Sequence, residues 1–567
     1  MFNPDPFFRK DRRLASGIVL THKFIENRVL ATVHHAQAAI ILVAIGVLAP
    51  ASLLAQPGAS STPQVSSQMP MLGDTSELSS SAERRIGDRI AREIYRDPDY
   101  IDDPVLVDYM QGIWQPLLAA ARARGDLSPE LAERFAWQIM LGRDRTINAF
   151  ALPGGYFGVH LGLIAVVSSR DELASVLGHE LSHVTQRHIS RLLAKQGQQT
   201  PWLIGAMILG ALAASKNADA GNAMMVGGQA VAAQSQLNFS RDMEREADRV
   251  GFGVMTQAGF EAQGFISMFD KLQNASRLND NGAYPYLRSH PLTTERIADM
   301  QARQALMATG ATPATLTPEH AMIAARARVL SNPGVDALRL LLAEADAVGV
   351  SALAVARQAG VLYGAALADC QLRDFVNARA YLARLSALLG LDAQALRLTR
   401  LLDAEIALAS GDAAHAAAAL NATSAAPTGA VEAAGAARPE LFLQAQIALQ
   451  KSQSGAAGAI PAVAEVAQRL QSWVAAHPND ALAWQWLSSS NAAQGQSLRA
   501  IRADAETQVA RLDYPAALDR FKAAQELVRK LHGGNGADAA ADHIDASIID
   551  TRQREVQALL KEQALER

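Results

Sequence analysis

Two histidines and a glutamate near residue 180 have the spacing of a metal-dependent hydrolytic site. They form the pattern H-E-x-x-H at His179, Glu180 and His183. On a helix, residues four apart project from one face, so both imidazoles can bind one zinc ion. Glu180 lies about 100° around the helix, where it can reach a water molecule rather than the metal. The pattern predicts a zinc site with a general base; the alternative is three polar residues on an ordinary helix. His188 lies off this face and should make only an outer or structural contact.

A third protein ligand is needed because a catalytic zinc ion has three protein ligands and one open position. Glu244 and Asp248 lie four residues apart in the charged run EREAD and share one helix face. We expect Glu244 to bind the metal and Asp248 to accept a hydrogen bond from a ligand histidine, which fixes its orientation. Glu246 should face solvent or a salt bridge. Without the upstream motif, this run would indicate only a solvated helix.

Helical periodicity surrounds both motifs. One helix should begin near Ser81 as its N-cap, a second should span residues 104–124, and a third should span residues 240–259. These helices should hold the residues of the two motifs in place.

A strand pattern separates the first helices from the H-E-x-x-H motif. Residues 134–164 alternate, carry β-formers and turn at Pro153-Gly154-Gly155. They predict a small antiparallel sheet that leads into a helix beginning near Ser169 or Asp171. The H-E-x-x-H motif would lie on that helix.

The C-terminal part is uniformly rich in alanine and in short turns. Ala517, Phe521 and Ala524 occupy small, aromatic and small positions typical of a tetratricopeptide repeat. The expected fold is mainly α: an H-E-x-x-H metallopeptidase domain with a small β-sheet at residues 82–310, followed by an α-helical tetratricopeptide-repeat solenoid at residues 318–567. An unrelated helical bundle is the alternative for the second region.

The N-terminal part has the order of an export signal. Residues 1–55 run from basic to apolar to small side chains, and residues 56–81 read as a flexible linker. We expect a cleaved signal peptide; an uncleaved membrane anchor is the alternative. A second apolar run, residues 201–214, is short for a membrane span. It could form a buried hairpin, a flap over the site, or a patch that touches membrane or unfolded protein.

Length and composition limit the classes of protein. A chain of 567 residues is long enough for two or more domains. Its formal net charge of −4 gives no basic field for nucleic acid. The single cysteine, Cys370, excludes an intramolecular disulfide framework and a cysteine-based metal site.

Four segments in this order resemble the Ste/HtpX-type zinc metallopeptidases: NAFALPGG, GHELSHVTQRH, SRDMEREADRVG and SHPLTTERIADM. The resemblance is strong over residues 79–307. It implies one zinc ion per chain, with Glu180 as the base and Asp248 as support. The ligands that it implies are His179, His183 and Glu244.

The same resemblance implies further site residues. His290 would stabilise the oxyanion of the tetrahedral intermediate or would occupy the open metal position at rest, with Arg296 behind it; a capping or surface histidine is the alternative. The strand at Asn148, Ala149 and Phe150 would pair with an extended peptide substrate.

The resemblance also implies a cell compartment and partners. Members with C-terminal repeats are periplasmic, and here they imply an exported endopeptidase that cleaves unfolded or misassembled proteins. The repeats would contact the outer-membrane β-barrel assembly machinery and act as a chaperone, and peripheral membrane contact stays open. The alternative is a repeat-based assembly scaffold whose zinc site is chiefly structural or latent.

Overall fold

The computed structural model of the chain describes six ranges: residues 78–195, 240–277, 284–307, 316–421, 438–531 and 539–564. The predicted export segment, nearly all of the linker and the apolar run at 201–214 lie outside the described residues. Within those ranges, every helix is too short or too polar to span a lipid bilayer.

The helices of the first half surround the predicted site. They are α1 Ser80–Arg96, α2 Pro104–Arg124, α3 Pro129–Arg134, α4 Leu161–Val166, α5 Arg170–Thr185, α6 His188–Lys195, α7 Arg241–Gln257, α8 Gln263–Arg277, α9 Tyr286–Ser289 and α10 Thr294–Met307.

Serine side chains cap the helices on which the site depends. Ser169 accepts a hydrogen bond from the Glu172 amide at the start of α5, and Ser240 accepts one from the Met243 amide at the start of α7. Both starts confirm the sequence prediction. The expected cap of α1 was wrong.

Ser79, not Ser81, caps α1, and its side chain accepts a hydrogen bond from the Ala82 amide. Ser81 lies inside the helix, where its hydroxyl accepts a hydrogen bond from Arg134 at 2.6 Å. Ser80 also faces inward and donates to Glu130 at 2.7 Å. The helix therefore begins earlier because its first turn packs against α3.

Four short strands form one sheet: β1 Tyr100–Ile101, β2 Gln138–Gly142, β3 Ala149–Leu152 and β4 Tyr156–His160. Their order is β1-β2-β4-β3, and β2 runs parallel to β4 while the other pairs are antiparallel. The prediction of an antiparallel sheet was wrong for that pair. Residues 143–148 lead from the end of β2 to the outer edge of the sheet, where β3 lies. The β3–β4 hairpin then places β4 between β3 and β2. The strand β3 is thus left at the edge.

Close packing of two glycines sets the distance between the two motif-bearing helices. A β-carbon at Gly251 in α7 would lie 2.9 Å from the backbone of Gly178 in α5. Real β-carbons do not approach backbone that closely, so a larger residue would force the helices apart. The two glycines bring the helix of His179 against the helix of Glu244.

Further helices continue the fold. They are α11 Pro318–Ser331, α12 Val335–Ala345, α13 Val355–Gln371, α14 Phe375–Leu389, α15 Ala393–Ala409, α16 Ala413–Asn421, α17 Arg438–Gln453, α18 Ala459–Ala476, α19 Ala481–Ala493, α20 Ser497–Ala510, α21 Tyr514–Leu531 and α22 Ala539–Ala564. Most of them pack mainly on the next helix along the chain, as helical repeats do, whereas α11 packs chiefly on α13 and on α4. The predicted class, mainly α with a small sheet and a helical repeat region, is confirmed.

One apolar core runs through both halves. Trp114 in α2, Leu177 in α5, Tyr363 in α13 and Leu402 in α15 belong to the same cluster of buried side chains. The helix α11 packs directly on α4, which precedes the H-E-x-x-H helix. The first repeat helices therefore share the core of the site-bearing helices.

Three arginines of the later helices also bind aspartates at the start of α2. Each guanidinium joins one of these aspartates to an acidic residue of another repeat helix or turn, at distances between 2.6 and 3.0 Å. The sets are Arg326 with Asp103 and Glu405, Arg397 with Asp108 and Glu440, and Arg438 with Asp102 and Asp480.

Candidate active site

The site forms where α5, α7 and the turn after α9 meet. His179 and His183 project from α5, and Glu244 projects from the first turn of α7. His290 follows α9, and its amide donates to the Tyr286 carbonyl at 2.9 Å. All four side chains are buried. The structure thus brings together residues that are more than one hundred positions apart in sequence.

The donor atoms of these residues are spaced like ligands of one metal ion. His179 Nε2 lies 3.0 Å from His183 Nε2, and each of these atoms lies 3.5 Å from a Glu244 oxygen. His290 Nδ1 lies 3.3 Å from His179 Nε2 and 3.1 Å from Glu244 Oε1. Atoms bound at about 2.0–2.1 Å in a tetrahedron would lie about 3.3 Å apart. The four residues therefore fit a tetrahedral divalent metal.

The pKa shifts of His183 and Glu244 also suit a metal ion. Burial and the neighbouring His179 lower the pKa of His183 well below its usual range, which favours the neutral imidazole that a metal needs. Burial opposes ionisation of Glu244, but His290 and His179 outweigh it and lower the pKa of that carboxyl well below its usual range. The site thus keeps an anionic oxygen beside a neutral nitrogen.

Asp248 and Arg296 hold the ligands from behind. Asp248 Oδ1 lies 2.9 Å from His179 Nδ1, the ring nitrogen that faces away from the cluster. Arg296 donates two hydrogen bonds to Asp248, at 2.6 and 2.7 Å, and its Nη1 lies 2.9 Å from Glu244 Oε2. This arrangement orients His179 and Glu244 together.

Glu180 faces the same space without binding into the cluster. It is 1% exposed, and neither of its oxygens has a hydrogen-bond partner among the described residues. The Nε2 of His290 lies 3.4 Å from its Oε1. Burial raises the pKa of Glu180 above its usual range. An unpaired buried carboxylate is unfavourable, and its oxygens are free to take a proton from water.

The edge strand β3 lies beside α5. The His160 amide donates to the Asn148 carbonyl at 3.0 Å, which makes these two residues a hydrogen-bonded pair of the antiparallel ladder. By the alternation of such a ladder, Phe150 also bonds to β4, while the main-chain groups of Ala149 and Ala151 point to the free edge. Ala151 was not among the predicted residues, and its backbone is close enough to lower the pKa of Glu180.

One side chain beside the cluster, Tyr286, had little signal in the sequence. Tyr286 stacks on His290, with ring centroids 4.7 Å apart and planes at 26°. Its only sequence signal is its place one helical turn before His290.

His183 is contacted by His188, the first residue of α6. His188 Nδ1 lies 3.0 Å from His183 Nδ1, and His188 Nε2 lies 3.0 Å from Glu246 Oε2. Glu246 in turn binds Arg191 at 2.9 Å. His188 therefore orients His183 from outside the cluster, as the sequence suggested for an outer contact.

Comparison with known proteins shows that the site-bearing part of the chain is similar to a known family. Residues 121–304 match Peptidase family M48. A Vibrio cholerae protein described as a β-barrel assembly-enhancing protease is 33% identical over 321 residues, which cover 56% of this chain and 63% of that protein. The β-barrel assembly-enhancing protease of Escherichia coli K12 is 30% identical over 318 residues, which cover 55% of this chain and 61% of that protein.

A mitochondrial relative matches a shorter stretch. The metalloendopeptidase OMA1 of Saccharomyces cerevisiae is 28% identical over 196 residues, 34% of this chain and 54% of that protein. The chain thus aligns with less than two thirds of the length of these relatives. The family match contains every residue of the donor cluster, so residues 121–304 of this chain are similar to peptidase family M48 across the whole site.

Proposed function

We propose that this chain is an exported, zinc-dependent endopeptidase that cleaves unfolded or misassembled proteins. The observation that carries the proposal is the juxtaposition of four buried donor groups with the unpaired carboxylate of Glu180. A metal site that was only structural would need the donors but would gain nothing from a buried, unpaired carboxylate beside them.

His179, His183 and Glu244 would hold the zinc ion. When bound, zinc lowers the pKa of water and polarises a carbonyl group. Asp248 and Arg296 fix the orientation of His179 and Glu244 by the contacts described above.

The protein's own groups then carry the proton. Glu180 accepts a proton from the attacking water and passes it to the leaving amine. The outward-facing main-chain groups of Ala149 and Ala151 pair with the substrate and hold its scissile bond next to Glu180. The fourth donor, His290, either occupies the open metal position at rest or stabilises the oxyanion.

The repeat helices would select the proteins to be cleaved. Relatives whose names describe β-barrel assembly-enhancing proteases support a role in outer-membrane protein assembly and in the periplasm. We propose that helices after residue 318 act as a chaperone for such proteins and contact their assembly machinery. The rival proposal, an assembly scaffold with a latent zinc site, gives no role to the unpaired Glu180.

The first prediction tests the site directly. The purified chain should contain about one zinc ion, and His179→Ala, His183→Ala and Glu244→Ala should each bind it far more weakly. Glu180→Gln should keep the zinc and lower kcat on unfolded casein by about 10²- to 10⁴-fold. Zinc is measured by atomic emission and cleavage by release of peptides.

Glu261→Gln is the matched control, since Glu261 is an exposed carboxylate in the turn after α7. It should change neither zinc content nor rate. Full activity of Glu180→Gln would reject the mechanism. Full zinc content with no cleavage by the unaltered chain would favour the scaffold.

A further inference from the structure

Tyr286 lies between the edge strand and the donor cluster. Its amide donates to the carbonyl of Ile147, two residues before β3, at 3.4 Å. Its ring stacks on His290 and meets His179 edge to face, with the second pair of centroids 6.5 Å apart. The residue is therefore fixed where a peptide paired with β3 would approach the proposed metal ligands.

The Tyr286 hydroxyl is open although the rest of the residue is packed. The residue is 5% exposed, and the hydroxyl forms no hydrogen bond with any described residue. The hydroxyl oxygen nevertheless keeps accessible surface, so it is not an enclosed group. A hydroxyl in this position can bond only to water or to a bound ligand.

The neighbouring charges indicate which part of the site this hydroxyl faces. Burial and the carboxylate of Glu180 raise the pKa of Tyr286 well above its usual range, and Glu180 acts on it more strongly than any other charged group. The hydroxyl therefore lies on the side of the proposed base, where the scissile peptide group of a substrate would be attacked.

The other donors around the cluster already have partners. Arg296 donates to acidic groups and to the Pro291 carbonyl, and both ring nitrogens of His290 face carboxylates. Of the side chains described in this site, the Tyr286 hydroxyl is the donor left without a partner. A peptide carbonyl oxygen that gains negative charge during attack is stabilised by such a donor.

We propose that Tyr286 is a catalytic residue whose hydroxyl donates a hydrogen bond to the scissile carbonyl oxygen as that oxygen gains negative charge. The tyrosine keeps its proton throughout, while Glu180 transfers the proton from water to the leaving amine. Because the hydrogen bond is stronger in the transition state than in the bound substrate, it acts on kcat rather than on KM. This inference deepens the peptidase function proposed above and rests on it.

The test compares full-length chains on casein at matched zinc content. Tyr286→Phe keeps the ring that stacks on His290 and removes only the hydroxyl. We expect kcat to fall by about ten- to a thousandfold, with KM changed by less than about twofold. Zinc content and the midpoint of thermal unfolding should stay unchanged. Tyr514→Phe is the matched control, because that hydroxyl also forms no hydrogen bond with a described residue but lines a separate groove beside α1 and α22.

Binding of a transition-state analogue gives a readout that does not depend on turnover. The probe is a phosphinic peptide that copies the casein segment cut fastest by the unaltered chain, with a tetrahedral phosphinate in place of the scissile peptide group. By calorimetry, Tyr286→Phe should bind it at least about tenfold more weakly. The parent peptide should bind equally well to Glu180→Gln chains with and without Tyr286→Phe.

Three results would overturn the inference while leaving the peptidase function intact. Unchanged kcat, or unchanged binding of the phosphinic peptide, would reject a contact with the scissile carbonyl. Loss of zinc from Tyr286→Phe would make Tyr286 a positioning residue for the metal ligands. A rise in kcat would mean that the hydroxyl helps to keep His290 in a blocking position. An unaltered chain that cleaves no casein would instead overturn the proposed function, and this inference with it.

Discussion

His290 is held in the donor cluster from two sides. Tyr286 stacks on one face of the His290 ring, and the His290 amide donates a hydrogen bond to the Tyr286 carbonyl. Its Nδ1 faces Glu244 and its Nε2 faces Glu180, at 3.1 and 3.4 Å. One imidazole thus contacts both a proposed ligand and the proposed base, which fits a group that blocks the site at rest.

The second prediction follows from that placement. His290→Ala should raise the initial rate of casein cleavage, since the donor that fills the fourth position is removed while His179, His183 and Glu244 remain. Rates are compared at matched zinc content. His415→Ala, an exposed histidine paired with Asp403 in the repeat region, is the control and should not change the rate.

A fall in the rate would give the opposite answer. A residue that stabilises the oxyanion should lower kcat by roughly ten- to a thousandfold when it is removed. Such a fall in His290→Ala would reject the blocking role and make His290 a catalytic residue.

The residues that share a helix face could be predicted from sequence, because the helical period alone places them. His179 with His183, and Glu244 with Asp248, are such pairs. Tyr286 could not be predicted in this way, because its place beside His179, with ring centroids 6.5 Å apart, depends on how α9 packs against α5. Local periodicity carries no information on that packing.

At the scale of elements, the edge strand β3 joins the sheet to the H-E-x-x-H helix. Its alternation separates residues that bond to β4 from residues that face outward. The sequence predicted a strand and its turn correctly, but not the parallel β2–β4 pair. Strand direction depends on the path of residues 143–148, which no period in the sequence encodes.

The third prediction tests this edge. Ala151→Pro removes an outward N–H, which an edge strand tolerates, and should lower kcat/KM on casein by about three- to tenfold. Zinc content should be unchanged. Ala151→Ser keeps the N–H and is the matched control for the altered side chain.

Phe150→Pro provides the contrast, because the Phe150 N–H bonds to β4. It should lower the midpoint of thermal unfolding, whereas Ala151→Pro should change it little. If Ala151→Pro cleaves casein at the unaltered rate, the outward groups of β3 do not bind substrate.

The fourth prediction concerns the buried arginine between α2 and the repeat helices. Arg326 is 4% exposed, and it binds Asp103 and Glu405 with two hydrogen bonds each. Arg326→Met leaves these acids without their partner, so the free energy of unfolding should fall by about 3–5 kcal/mol. Urea denaturation followed by circular dichroism measures it.

Arg328→Met is the matched control two residues away. Arg328 pairs with Glu344 on the surface, and its loss should change the free energy of unfolding by less than about 1 kcal/mol. Equal effects of the two variants would show that the buried network adds nothing to the attachment of the repeat helices.

At the scale of the whole chain, several repeat helices pack against the site-bearing helices rather than only follow them. The helix α11 covers α4, three arginines bind the start of α2, and Arg96 of α1 binds Asp513 before α21 at 3.0 Å. The sequence indicated two regions of different composition, the second rich in alanine, with a boundary near residue 310. The sequence could not indicate this shared core, since nothing in the pattern of an alanine-rich helix identifies the helices on which it packs.

The last prediction follows from that shared core. A chain that ends at Met307 keeps every proposed zinc ligand but loses α11, α13 and all three arginines. It would expose the apolar face of α4 and leave Asp103 without its arginine partner. We expect its midpoint of thermal unfolding, measured by calorimetry with zinc present, to lie well below that of the full chain.

A chain that ends at Asn421 is the informative intermediate. It keeps Arg326 and Arg397 with the core of α13 and α15, and of the bridging sets it loses Arg438, Glu440 and Asp480. Its unfolding midpoint should therefore lie between the other two, and its zinc content should match that of the full chain. Equal midpoints for the chains that end at Met307 and at Asn421 would mean that the peptidase helices are stable alone. The contacts of α11 and α13 would then serve only to fix the position of the repeats relative to the edge of β3.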